Sequence, residues 1–110
     1  MTTFDERERA FEQMFVNDEE LRFRALARRN RLLATWVCEH LDLSGEEAAH
    51  YTETFVKGSV AGQNDAGLVA IVRADLAAQG TLLSEAEIGA VLVELGAKAA
   101  AEIHNERRAS

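Results

Sequence analysis

Apolar residues recur every three or four positions in five segments of this chain, which is the spacing that places them on one face of an α-helix. The 110-residue sequence contains no proline, a residue that interrupts helices and marks loops and strand edges. The alternation of Val, Ile and Thr that is typical of half-buried strands is also missing. The pattern therefore predicts an all-α fold.

Capping signals mark the boundaries of the helices. Ser44–Glu47 and Ser84–Glu87 are capping boxes, in which each of the two side chains binds the backbone amide of the other residue. The predicted helices cover about residues 19–41, 45–60, 66–79 and 85–106. Because short links make successive helices antiparallel neighbours, we expect a four-helix bundle over residues 19–108. Residues 1–18 are then left outside the bundle as an N-terminal arm.

The predicted core consists of apolar residues at helical spacing on one face of each helix. In chain order these are Leu32, Leu33, Trp36, Val37, Leu41, Ala48, Tyr51, Phe55, Val56, Leu68, Ile71, Val72, Leu76, Ile88, Val91, Leu92, Leu95, Ala99 and Ile103. The N-terminal half of the first helix has only a thin apolar strip of Leu21, Ala25 and Leu26, crowded by arginines. We therefore expect this half to extend toward solvent.

Charge and hydropathy restrict the partners that the chain can bind. The net charge is −7, and it lies entirely beyond residue 31, where acidic side chains outnumber basic ones by twelve to five. Nucleic-acid-binding domains usually carry a basic excess, so we expect no nucleic-acid partner. No apolar run approaches the ~20 residues that span a bilayer, so we expect no membrane insertion.

The start of the sequence and its single cysteine indicate a compartment. Residues 1–9 are polar and charged, unlike a secretory signal peptide. Cys38 has no second cysteine with which to form an internal disulfide, which suits a reducing environment. We expect a cytoplasmic protein that is a monomer when free.

The chain shows no pattern of catalytic chemistry. His40, His50, His104 and Cys38 have no metal-ligand spacing, and we interpret them as solvated or capping histidines and a buried structural thiol. A redox-sensing Cys38 would need a basic neighbour, and none is evident in the sequence. The glycines have neither phosphate-loop nor dinucleotide-fingerprint spacing. We predict no enzyme activity, no metal and no required cofactor.

The arm carries the first feature that indicates a partner. Phe4, Phe11 and Phe15 fall within a narrow sector of one helical face. These rings either fold back on the bundle or dock in a groove of a partner. Burial of each ring stabilises by roughly 1.5–3 kcal/mol, whereas ordering the backbone costs ~1–2 kcal/mol per residue. The rings alone therefore leave the arm mobile, and ordering it requires a deep partner cleft or prior helix formation.

An arginine cluster between Arg22 and Arg31 is the second such feature. One interpretation is a solvated helix face with i,i+4 pairs such as Glu20–Arg24. The other is a contact surface for an acidic partner or for phosphate, since the planar guanidinium of arginine suits both. The sequence alone leaves both interpretations open.

Residues 2–43 closely resemble the N-terminal signature of the zeta-subunit family, which inhibits the F-type ATP synthases of alphaproteobacteria. The resemblance is carried by the stretch Phe4–Glu12, by Asp18–Leu21, by Ala27–Leu33 and by Trp36. Weaker, colinear likeness continues through Leu43–Gly45, Val72–Leu76 and the Ser84–Glu85 cap.

This resemblance implies a four-helix bundle whose mobile arm enters a catalytic α/β interface of the ATP synthase head, against the γ subunit. Insertion of the arm would block ATP hydrolysis, so the free protein would be cytoplasmic and the bound protein peripheral at the inner membrane. The implied partner-binding residues are Phe4, Asp5, Arg7, Phe11, Glu12 and Phe15 in the arm, and Arg28 and Arg29 at the mouth of the cleft.

Two alternatives to inhibition remain at this point. Family resemblance also implies weak binding of ADP or ATP on the bundle, although no motif in this sequence locates a nucleotide site. The chain could then be a nucleotide-sensing module. It could also be a helical adaptor whose arm has weak or no inhibitory action.

Overall fold

The computed structural model of the chain describes residues 18–60 and 64–109. They form four helices, α1 Glu19–His40, α2 Gly45–Val60, α3 Asp65–Ala78 and α4 Glu85–Ala109. The described part of the chain contains no strand, so the all-α prediction is confirmed. The predicted ends of α1, α2 and α3 agree within one residue, whereas α4 continues past its predicted end at Glu106. The arm, predicted to be mobile, lies outside the described residues except for Asp18.

Side chains cap three of the four helix N-termini. Asp18 Oδ1 accepts the amide of Leu21 at 3.0 Å and so caps α1. Asn64 caps α3 in the same manner, with 2.8 Å to the amide of Gly67. The predicted Ser84–Glu87 box at α4 is confirmed, with both of its hydrogen bonds formed at 3.0 and 3.1 Å.

The capping box predicted at Ser44 and Glu47 is wrong. Among the hydrogen bonds of the described residues, neither of its two side-chain bonds is formed, and α2 begins with a long 3.5 Å bond from Ala48 N to Ser44 O. The physical reason lies in Gly45, whose φ of +59° is left-handed. A capping box needs an ordinary helical residue after the cap, and the left-handed Gly45 turns the chain away from that geometry.

The helices α1 and α3 end in Schellman motifs. The amide of Leu43 binds Cys38 O at 2.9 Å, and the amide of Thr81 binds Leu76 O at the same distance. The residue that turns the chain is Asp42 in the first motif, with φ of 56°, and Gly80 in the second, with φ of 86°. These tight ends fold α2 back along α1, and α4 back along α3.

The main core lies between the C-terminal half of α1 and the three other helices. Its fully buried members include Leu33 and Val37 of α1, Val72 and Leu76 of α3, and Ile88 of α4. The main core thus contains most of the predicted apolar stripes, but not Ile71 or Ile103. Every buried side-chain nitrogen or oxygen in the described residues has a hydrogen-bond partner. The helix α1 is central, since it packs along both α2 and α4.

The N-terminal half of α1 does not extend toward solvent, so this prediction was wrong. Leu21 and Ala25 are buried in a separate second core with Ala100 and Ile103 of α4. The physical reason is that the C-terminal half of α4 packs along this half of α1, where the small side chains of Ala25 and Ala100 let the two helices approach closely.

The predicted inward position of Ile71 is also wrong, because the side chain is 36% exposed. The helices α2 and α3 make only sparse contact, and an apolar cleft of about 210 Å³ opens between them. Ile71 lines this cleft together with Tyr51, Phe55 and Gly58. Tyr51 donates a 2.7 Å hydrogen bond to Asp75 across it, and burial together with this bond raises the pKa of the phenol.

Candidate partner-binding surface

Most of the predicted partner-binding residues lie in the arm. Phe4, Asp5, Arg7, Phe11, Glu12 and Phe15 fall outside the described residues, and their roles stay predictions. Asp18 caps α1, and it is both the last residue of the arm and the first residue that the structure describes. The surface that adjoins the arm is therefore the N-terminal half of α1 together with the elements packed on it.

Arg28 lies on the side of α1 that faces the C-terminal end of α4. Its Nη2 donates to Glu106 Oε1 at 3.0 Å, and its Nη1 binds the other oxygen of the same carboxylate. Nη1 also lies 3.6 Å from Glu102, while Arg24 approaches Glu106 at 4.0 Å. We call these four residues the α1–α4 ion cluster. Arg24 thus pairs across the bundle, and not with Glu20 as one interpretation of the sequence had it.

The ion cluster shifts the pKa values of two of its members, Arg28 and Glu106. The hydrogen bond from Arg28 holds the pKa of Glu106 below its usual range, and the same bond raises the pKa of Arg28. Both groups are consequently charged near neutral pH. Because the cluster is largely exposed to solvent, it contributes less to stability than its number of charges suggests.

Arg29, the second predicted docking arginine, is buried on another side of α1. Its guanidinium makes a two-pronged contact with Asp65 at the start of α3, at 3.0 and 3.4 Å, and it donates twice to Asn30 Oδ1. Only 9% of the side chain of Arg29 is exposed, compared with 59% for Asp65. Both predicted docking arginines thus form ion pairs within the chain, and their role in docking stays a prediction.

Phe23 is the exposed residue that the sequence interpretation missed. This side chain is 63% exposed, although the ring is large and apolar. It borders a groove of about 200 Å³, which we call the Phe23 groove. Its lining residues are Phe23, Leu26, Ala27, Arg29, Asn30, Ser59 and Asp65. A signal was present in the sequence, since Phe23 stands between Arg22 and Arg24 outside the predicted apolar strip.

A second groove, of about 570 Å³, runs between α1 and α2. Its cations are Arg31 and Lys57, and Thr52 supplies a hydroxyl. Lys57 is already paired with Glu53 at 2.9 Å, and this bond lowers the pKa of Glu53. The groove therefore combines positive charge with a competing carboxylate.

The remaining reactive side chains have ordinary roles. Cys38 is buried as predicted, with its sulfur 3.7 Å from Ala48 O. The ring of His40 binds Trp36 O at 3.0 Å and packs on the indole, near the end of α1. Within residues 18–60 and 64–109, no three His, Cys, Asp or Glu side chains are grouped to hold a metal ion. No described helix combines the length and the apolarity needed to cross a membrane.

These features define a class of protein: a small helical bundle whose described surface offers grooves and charged clusters and no metal site. Comparison with family models narrows that class. The model described as ATPase inhibitor subunit zeta matches residues 1–102, and the chain belongs to that family. No curated protein and no solved structure matches the chain. The resemblance found in the sequence is thereby confirmed, and the match includes the arm and the bundle as far as Glu102.

Proposed function

We propose that this chain inhibits ATP hydrolysis by an F-type ATP synthase, and that residues 1–18 are the element that inserts into a catalytic α/β interface. The observation that carries the proposal is the family match over residues 1–102, which includes the whole arm. The ATPase inhibitor family supports a regulatory role and not a catalytic one. The proposed site of action is the cytoplasmic face of the membrane that holds the enzyme.

The geometry of α1 supports this mechanism. An inserted arm resists the turning rotor only if its other end is fixed to a body that stays outside the cleft. The helix α1 begins at Glu19, directly after the arm. It is held to α4 by the second core and the ion cluster, and to α3 by Arg29 and Asp65. Under this proposal, Arg28 and Arg29 help docking by fixing α1 in place.

The proposal is tested by titrating the ATP hydrolysis of the catalytic head with the full chain and with a chain that begins at Asp18. This truncation keeps the cap of α1 and removes the rest of the arm. We expect inhibition by the full chain and none by the truncated one. If neither chain inhibits, the proposed function is overturned. If both inhibit equally, the arm is not the inhibitory element.

Phe11→Ala in the full chain is the matched point variant. It should weaken inhibition, because it removes the central ring of the proposed inserted face. The melting temperature should stay nearly unchanged if the ring has no part in the core of the bundle. A large fall in melting temperature would instead assign Phe11 to the core.

A second candidate is the binding of an adenine nucleotide, which the groove between α1 and α2 favours through Arg31, Lys57 and Thr52. Glu53 opposes the binding of a phosphate there, which ranks this function second. Amide NMR spectra recorded with millimolar ATP provide the test. Shifts confined to the residues of this groove would support the site, and an unchanged spectrum would remove it.

A further inference from the structure

The surface next to the arm contains an apolar feature that the fold itself does not use. Phe23 lies on the first turns of α1 and is 63% exposed, whereas Leu21 and Ala25, two positions away on either side, are buried in the second core. The ring therefore points away from α4. Leu26 and Ala27, one turn further along α1, are half-buried and continue the apolar wall of the Phe23 groove.

The floor of the groove is polar, but its charges are already satisfied. The guanidinium of Arg29 is neutralised by Asp65 at 3.0 Å and is further held by Asn30. A charged group entering the groove would have to displace Asp65, whereas an apolar side chain would only have to cover the existing pairs. The groove itself therefore fits an apolar side chain of a partner.

The rim of the groove has the opposite character, because both chain neighbours of Phe23 are exposed arginines, Arg22 and Arg24. Glu106 of α4 lies 4.0 Å from Arg24, and both side chains are half exposed. Long exposed pairs of this kind are readily exchanged for intermolecular ones. Carboxylates beside the entering apolar side chain would meet favourable charge at this rim.

From these observations we infer that the Phe23 groove is a second docking site, which takes an apolar side chain flanked by carboxylates on the ATP synthase head. This inference rests on the proposed function. Its position supports it, since Phe23 lies five residues from the cap at Asp18, or about 7 Å of helix rise. An arm inserted in the head would therefore hold this groove against the mouth of the cleft.

The test uses the full chain with Phe23→Ala, and inhibition of ATP hydrolysis by the catalytic head is titrated. We expect the half-inhibiting concentration to rise at least about tenfold, as for an aromatic anchor at the centre of an interface. Phe23→Leu should restore most of the inhibition, because it keeps an apolar side chain. Leu82→Ala is the matched control: Leu82 is 82% exposed in the α3–α4 turn and should leave inhibition unchanged.

Several results would overturn the inference. Inhibition by Phe23→Ala equal to that of the unaltered chain would show that the head does not use the groove. Stronger inhibition by Phe23→Ala would identify the groove as a resting place of the chain's own arm. A dimer in sedimentation that Phe23→Ala converts to monomer, with inhibition unchanged, would identify a second copy of the chain as the occupant.

Direct binding of the full chain to the head separates this inference from the proposed function. Binding without inhibition would overturn the proposed function, and loss of that binding in Phe23→Ala would still support the docking site. If the unaltered chain neither binds nor inhibits the head, both the proposed function and the docking site are overturned. Circular dichroism of Phe23→Ala should show an unchanged melting temperature, because an exposed ring stabilises the bundle little.

Discussion

The two ends of the bundle are held together by different means. At the end distant from the arm, the main core draws on all four helices, with large aliphatic side chains such as Leu33, Leu76 and Ile88 and with Phe55 of α2. At the end near the arm, the second core of the described residues consists of Leu21, Ala25, Ala100 and Ile103, and ion pairs lie beside it. The first arrangement stabilises the fold, whereas the second fixes the direction of α1, from which the arm departs.

This difference has a consequence for dynamics. Regions with few buried apolar contacts and many exposed polar ones open locally before the whole protein unfolds. We therefore expect the first turns of α1 and the last turns of α4 to open at lower free energy than the main core.

Leu76→Ala should have the largest effect, because Leu76 is fully buried in the main core. Replacement of a buried Leu by Ala leaves a cavity and destabilises by about 2–5 kcal/mol. The midpoint of urea unfolding measures this loss, and all parts of the bundle should unfold together. A loss below about 1 kcal/mol would mean that the main core is not the chief source of stability.

Ile103→Ala should destabilise the bundle by about 2 kcal/mol, which is the lower limit for replacing a buried Ile by Ala. The effect is smaller than that of Leu76→Ala because the neighbours of Ile103 in the second core are few and small. The effect should also be local. Hydrogen exchange should become faster at residues 21–28 and remain slow around Leu33 and Val72. Equal acceleration throughout the bundle would show that the two cores act as one cooperative unit.

Much of the main-core end could be predicted from the sequence. The apolar stripes of α3 and α4 and the Ser84–Glu87 box depend on residues a few positions apart, and local spacing carries that information. The capping box predicted at Ser44 does not form because the backbone of Gly45 is left-handed. Glycine permits this conformation but does not require it, so the sequence does not predict it. Similarly, the exposure of Ile71 follows from the cleft between α2 and α3, and no pattern within α3 reveals it.

The arm-proximal end was harder to predict because its contacts join distant parts of the chain. Arg28 pairs with Glu106, a separation of 78 residues, and Arg29 pairs with Asp65. The sequence offers only local i,i+4 partners for the arginine cluster, so the N-terminal half of α1 was expected to extend toward solvent. The predicted arm residues from Phe4 to Phe15 lie outside the described residues and stay predictions.

Arg29→Met tests the ion pair that joins α1 to α3. Methionine keeps most of the apolar stem but removes the charge and the donors to Asp65 and Asn30. Loss of one partner from a fully buried pair costs about 3–5 kcal/mol, but the 59% exposure of Asp65 lets water replace much of the contact. We therefore expect a loss of about 1 kcal/mol in urea unfolding. A double-mutant cycle with Asp65→Asn should show that most of this loss is coupling free energy between the two side chains.

The smallest effect should come from Glu106→Gln, and it should depend on pH. Because Arg28 lowers the pKa of Glu106 in the folded chain, the pair stabilises fully above the unfolded pKa of about 4.3. This stabilisation is lost as the pH falls through the lower folded pKa of Glu106, while Arg28, whose pKa is raised, stays protonated throughout. The unaltered chain should thus be slightly more stable than Glu106→Gln at pH 7, and the two should converge in acid.

Glu53→Gln is the matched control for this titration, because Lys57 lowers the pKa of Glu53 in a similar way within α2 alone. Amide chemical shifts locate the two effects. Acid should perturb the first turns of α1 in the unaltered chain and in Glu53→Gln, but much less in Glu106→Gln. If acid perturbs these turns equally in all three chains, the ion cluster does not fix α1. The second core would then hold the arm-proximal end alone, and the contrast between the two ends would reduce to the size of their apolar side chains.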